Sequence, residues 1–185
     1  SMSDYGRQTF QYSDIAEEIA KLHSLFANTC IKKGDKIAIC SRNMSRWGVA
    51  FLATLTYGAV AVPILHEFHP EQVHHIVNHS ESRILFVGDL VWKKLDAKEM
   101  PDLEGIVQLN DWTLLSAKNK KLKDTVENLN RCFGEKYPAS FGQKDLAYHA
   151  DEPEELAIIN YTSGTTSNSK GVMIPYRAIV GNMMC

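Results

Sequence analysis

The sequence predicts an α/β fold: a largely parallel sheet flanked by helices. Three observations carry that expectation. Short continuous apolar runs, typical of strands covered on both faces, recur at residues 37–40, 59–64, 84–87, 105–109 and 156–161. Segments with helical spacing separate the earlier runs, and Gly34, Gly58 and Pro70 punctuate the joints. Strands alternating with helices in this way become parallel neighbours joined by right-handed crossovers.

The elements follow in order. Ser13 is a predicted cap for a helix in which Ile15, Ile19, Leu22 and Phe26 share one face. The turn Lys33-Gly34-Asp35-Lys36 leads into the strand at 37–40. A helix near 46–57, a strand near 59–64, a helix near 70–78 opened by Pro70, and a strand at 84–87 come next. Residues 89–101 are less regular, and 105–109 read as a strand. Residues 114–133 are polar with a helical character, and 134–153 hold too few periodic apolar positions for assignment. Residues 156–161 and 172–174 are strand-like, and 176–185 suit a helix.

Composition narrows the function classes. A chain of 185 residues can build one sizeable core, and 44% hydrophobic with 23% charged residues is ordinary for a globular protein. Twenty Lys+Arg against 22 Asp+Glu give a formal charge of -2 without a long basic stripe, which argues against nucleic acid. Lys118, Lys120, Lys121 and Lys123 read as a solvated helix start beside Ser116 and Asn119. Cys30, Cys40, Cys132 and Cys185 form no CxxC pair and no signal segment precedes them, so a reducing, cytoplasmic setting is expected. Residues 47–65 carry no charge over a length able to cross a bilayer, but Gly58 and Pro63 divide them, favouring a buried helix running into a buried strand. Ser1 before Met2 reads as a tag-removal scar.

The chemistry concentrates in TSGTTSNSKG, residues 162–171, where hydroxyls and glycines surround Lys170 and no carboxylate intervenes. Small residues admit backbone N–H groups close to an anion, hydroxyls add donors, and Lys170 adds a positive charge, a set suited to a polyphosphate. A P-loop is excluded, because five residues separate Gly164 from Lys170 and Gly171-Val172 follow where Ser/Thr and a helix are needed. The apolar runs on both sides predict a hairpin at the end of a sheet. A plain flexible turn has the same composition, so composition alone leaves both readings open.

The residue order separates them. IINYTSGTTSNSKGVM resembles the phosphate-binding signature of the adenylate-forming superfamily, which includes acyl-CoA synthetases, luciferases and the adenylation domains of peptide synthetases. Ser167 stands where glycine is usual and Ser169 where proline is usual; both are small. Thr9-Phe10-Gln11-Tyr12, Lys33-Gly34-Asp35-Lys36-Ile37-Ala38 and Gly58-Ala59-Val60-Ala61-Val62-Pro63 resemble three upstream family segments in the family's order. Within the superfamily the chain looks most like long-chain fatty acid CoA ligases, although Pro175-Tyr176 replaces a frequent Thr-His.

The resemblance implies that residues 1–185 are the truncated first part of an N-terminal AMP-binding domain. It implies ATP, Mg2+ and CoA as substrates and ion, a fatty acid as the partner acid, and Thr162, Ser163, Gly164, Thr165, Thr166 and Lys170 as the phosphate contacts. Asn168 is expected at the loop tip, and peripheral membrane contact accompanies the cytoplasmic expectation. The family's adenine, ribose and hinge motifs and its late lysine would lie downstream, so this fragment alone is expected to hold no catalytic residue, to be inactive and to self-associate. Other adenylate-forming ligases and a non-catalytic nucleotide-binding module are the alternatives. His75 and His79 are four apart on the predicted helix, but two facing ligands on one helix make a poor metal site. Asp151, Glu152, Glu154 and Glu155 read as a solvated linker, and Trp47, Trp92 and Trp112 as packing residues.

Overall fold

The computed structural model describes residues 11–138, 141–150, 152–162 and 170–183. Its strands are β1 (Lys36–Cys40), β2 (Val60–Ile64), β3 (Ser82–Val87), β4 (Gly105–Gln108), β5 (Leu114–Ala117), β6 (Leu156–Thr162) and β7 (Lys170–Pro175). They form one seven-stranded sheet in the order β5-β4-β3-β1-β2-β6-β7. The five inner strands run parallel, and β5 and β7 close the two edges antiparallel to their neighbours. The helices are α1 (Tyr12–Asn28), α2 (Ser45–Tyr57), α3 (Pro70–His79), α4 (Asp89–Trp92), α5 (Lys120–Glu127), α6 (Leu129–Lys136) and α7 (Tyr176–Met183).

Alternation along the inner strands divides the core into two layers. Ile37, Ile39, Ile84, Phe86 and Val107 pack against α1, α2 and α5, where Leu22, Phe26, Ala53 and Leu122 are buried. Ala38, Cys40, Leu85, Val87 and Ile106 face the other way, against Val73, Ile76 and Val77 of α3. Residues 47–65 divide as expected: α2 ends at Gly58 in the left-handed conformation (φ 85°), and β2 follows. No described helix is long and apolar enough to cross a membrane.

Two local expectations change. Helix α1 begins at Tyr12, not after a Ser13 cap, because Asp14 Oδ2 accepts from the Gln11 backbone N–H at 2.9 Å and draws Gln11 into the capping position. Residues 114–117 leave the predicted helical segment and form β5, whose pairing satisfies the open edge of β4. Gly105 of β4 admits Leu122 of α5 so closely that an added methyl would collide with Leu122 Cδ2. The helix resumes at α5, where Asn119 Oδ1 accepts from Leu122 N at 2.8 Å, so the lysines there do decorate a helix start.

Candidate phosphate-binding hairpin

Parallel strands send their carboxyl ends to one edge of the sheet, and the turns after β1, β2, β3, β4 and β6 all emerge there. The chain passes from β2 back across β1 to β3, so the strand order reverses between β1 and β3. The cleft at this point, lined by Ser41, Arg42, His66, Gly88, Asp89 and Lys94, holds only about 60 Å³. That is well below the ~300–1,000 Å³ of a small-molecule site. A wider cleft of about 530 Å³ runs past Trp112, Asn128, Leu129 and Arg131. It adjoins β5, at the far end of the sheet from β6 and β7.

At the edge opposite β5, β6 and β7 pair as the predicted antiparallel hairpin. Thr162 lies opposite Lys170, Tyr161 opposite Gly171, and Asn160 opposite Val172. The loop therefore leaves and re-enters the sheet through one cross-strand pair. Directly opposed residues project to the same face, so Thr162 and Lys170 share a face with Asn160, and all three are exposed. Ser163, Gly164, Thr165 and Thr166 lie outside the described residues, as do Ser167, Asn168 and Ser169. Among the described residues no carboxylate pairs with the Lys170 ammonium. A hydroxyl facing a cation at the mouth of a small-residue loop can bind an anion but has no group suited to proton abstraction.

Strongly shifted groups lie elsewhere. Burial lowers His23 from its usual 6.5 to about 4, opposed by its contact with the Ala53 carbonyl and assisted by Lys136. Burial likewise pushes the Cys40 thiol up to about 12, which makes it an inert core residue.

Helix α3 does not use its histidines as the metal pair considered from spacing. The His75 and His79 rings lie 5.5 Å apart, but His79 Nδ1 sits 2.7 Å from the Tyr161 hydroxyl, and His74 Nε2 accepts from Asp96 N at 3.2 Å. Among the described residues no group of three or more His, Cys, Asp or Glu could hold a metal ion. The acidic stretch is more than a solvated linker: Glu155 Oε2 lies 2.9 Å from His149 Nε2, Glu155 Oε1 accepts from Lys33, and Arg177 pairs with Glu154 at 3.0 Å. The three tryptophans pack as expected where contacts define them, Trp47 stacking on Phe51 and Trp112 donating to Glu18 at 2.6 Å. Sequence reasoning missed His79 and His149 as partners of the hairpin and its approach, because each meets its contact only through tertiary packing.

Comparison with known proteins agrees with this architecture. The chain is 28% identical over 183 residues to human long-chain-fatty-acid–CoA ligase 1, covering 90% of this chain and 25% of that protein. It is 28% identical over 153 residues to fatty acyl-CoA synthetase A of Dictyostelium discoideum, covering 83% of this chain and 22% of that protein. The chain thus spans about a quarter of the length of these curated relatives. Among solved structures, a long-chain-fatty-acid-CoA ligase from Archaeoglobus fulgidus superposes with a TM-score of 0.71 at 20% identity, covering 100% of this chain and 33% of that one. A fatty acyl-adenylate ligase from L. pneumophila, solved with acyl adenylate and pyrophosphate, gives 0.69 at 20% identity, covering 99% of this chain and 28% of that one. The profile of the family described as AMP-binding enzyme matches residues 2–185. With the sheet order, the hairpin and the residue order of its loop in agreement, the chain belongs to the AMP-binding enzyme family.

Proposed function

We propose that this chain is the N-terminal part of an ATP-dependent acid–thiol ligase, with a long-chain fatty acid as the activated acid. The observation that carries the reading is the pairing of Thr162 with Lys170 at the mouth of the TSGTTSNSKG loop, on the sheet edge where α/β folds receive ligands. A carboxylate oxygen of the acid attacks the α-phosphorus of ATP. The bond from that phosphorus to the α,β-bridging oxygen breaks, and pyrophosphate leaves with that oxygen and the electron pair. The CoA sulfur then attacks the acyl carbon, its proton is lost, and AMP departs with the mixed-anhydride oxygen.

Within this chain the work is electrostatic. The role assigned to Lys170 and the hydroxyls of Thr162, Ser163, Thr165 and Thr166 is to contact the β- and γ-phosphates, and that of Gly164 is to allow close backbone approach. Negative charge accumulates there as the leaving group separates, so donors placed in advance stabilise the transition state more than the bound substrate. The role assigned to these residues is to hold the nucleotide phosphates. Activity belongs to the whole protein, and residues 1–185 alone are expected to form no acyl-CoA. The exposed Val172 and Met173 on the β7 edge support the self-association expected of the isolated piece.

The test is pyrophosphate release by the intact protein across long-chain, short-chain, aryl and amino acids, with and without Lys170→Ala. Long-chain acids are expected to give the highest rates, and Lys170→Ala to slow release by about 10²–10³-fold, the usual cost of losing one preorganised charge-stabilising group. A preference for another acid class would replace the substrate. ATP binding without turnover of any acid would leave a nucleotide-binding module.

A further inference from the structure

We propose that His79 is a positioning residue for the phosphate-binding loop, holding its stem through Tyr161. The proposal rests on the ATP reading for its catalytic consequence, although the contact itself does not. Tyr161 immediately precedes Thr162, is 4% exposed, and belongs to the buried layer shared with Val73, Ile76 and Val77 of α3. Its hydroxyl lies 2.7 Å from His79 Nδ1, and the two rings meet edge to face with centroids 5.8 Å apart at 89°. The phenol donates when the imidazole carries its proton on Nε2, and accepts when Nδ1 carries it, so either tautomer keeps the contact.

The other side of the ring explains why this contact governs both ends of the loop. Tyr161 faces Gly171 across the hairpin, and a methyl on Gly171 would come within 3.1 Å of Tyr161 Cζ and 2.9 Å of Ile159 Cγ2. The ring therefore covers the strand directly after Lys170 while its hydroxyl is tied to α3. The hairpin needs such an anchor. Strand β7 is the sheet edge, and β6 registers with β2 at Ala61 and Ile158, below Tyr161. Helix α3 is firm enough to provide it, because Val73, Ile76 and Val77 are essentially buried and His79 is its last residue. Fixing Tyr161 thus fixes the neighbouring pair, Thr162 with Lys170, whose separation the phosphates must match. His79 contacts no reacting atom in this account.

The experiment uses the intact protein with His79→Leu, His79→Asn and Tyr161→Phe, together with Lys170→Ala. Leu retains bulk without the hydrogen bond, whereas Asn places an amide close to where Nδ1 stands. Backbone hydrogen exchange over residues 156–175 is expected to accelerate about five- to tenfold in His79→Leu and Tyr161→Phe, the equivalent of one lost neutral hydrogen bond. Exchange in α3 should stay unchanged, and His79→Asn should restore protection. The double variant His79→Leu/Tyr161→Phe should be no worse than either single one, because both remove the same interaction. In the same variants KM for ATP should rise by a similar factor, as one lost hydrogen bond's worth of positioning predicts. Unchanged exchange at 156–175 in His79→Leu would overturn the proposal even if Lys170→Ala abolished ATP binding. Conversely, faster exchange with normal ATP binding in Lys170→Ala would keep the anchor and remove the ATP reading.

Discussion

Lys33 and Glu155 are 122 residues apart in sequence, yet they form an ion pair in which Lys33 Nζ donates to Glu155 Oε1. The same carboxylate holds His149 through its other oxygen at 2.9 Å. Lys33 precedes β1 and Glu155 precedes β6, so the pair joins the entrance of the central strand to that of the hairpin. These two contacts, Lys33 foremost, hold the Glu155 carboxyl below its usual 4.5. Glu155→Ala is expected to lower the thermal midpoint slightly and to speed proteolysis within residues 141–155. Equal proteolysis of variant and parent would show the tie to be incidental. Because the folded pKa is depressed, its stabilising contribution is present above pH 4.5 and declines as the pH falls below that.

Gly58 is where that approach docks. It closes α2 at a φ of 85°, and an added methyl would lie 2.8 Å from His149 Cγ, while His149 N donates to the Thr56 carbonyl at 2.7 Å. Gly58→Ala therefore faces left-handed strain of about 1–2 kcal/mol and displacement of the imidazole. Chemical denaturation should show a loss of about 1–3 kcal/mol, larger than for Gly34→Ala, whose φ is 81° but which has open space around it.

Gly171 offers a different contrast, since its constraint is a close approach on the sheet. Gly171→Ala should displace the Tyr161 ring, cost about 1–3 kcal/mol of overpacking, and raise KM for ATP in the intact protein. The Gly171→Ala/Tyr161→Leu double variant should recover part of the lost stability. No recovery would place the strain on Ile159, whose Cγ2 is the closer atom at 2.9 Å.

His23 sets a pH dependence. Its Nε2 donates to the Ala53 carbonyl at 3.1 Å and lies 3.0 Å from Thr56 Oγ1, and burial holds its pKa near 4 in place of 6.5. The unfolded chain binds the extra proton between these values, so stability is full above about pH 6.5 and falls as the pH drops towards 4. The expected loss between pH 7 and pH 4 is on the order of 1–3 kcal/mol by urea unfolding. His23→Gln should flatten this part of the profile; an unchanged slope would assign it to other groups.

The strands were legible where several apolar residues adjoin, as in Ile37 to Cys40, because a strand buried on both faces needs no polar alternation. The hairpin was legible from Val172, Met173 and Ile174 following a loop of small residues. Residues 114–117 were not, because four residues at the head of a largely polar segment are too short to show either period, and the open edge of β4 decides their state. Sequence by itself determined the kind of chemistry here: hydroxyls, glycine and one ammonium group in a fixed order, with no acid among them. Only the tertiary structure decided that Thr162 opposes Lys170, that His79 reaches Tyr161, and that Glu155 joins Lys33. Residue type dictates which interactions a group can make, whereas cross-strand register and helix packing bring together groups that chain distance keeps apart.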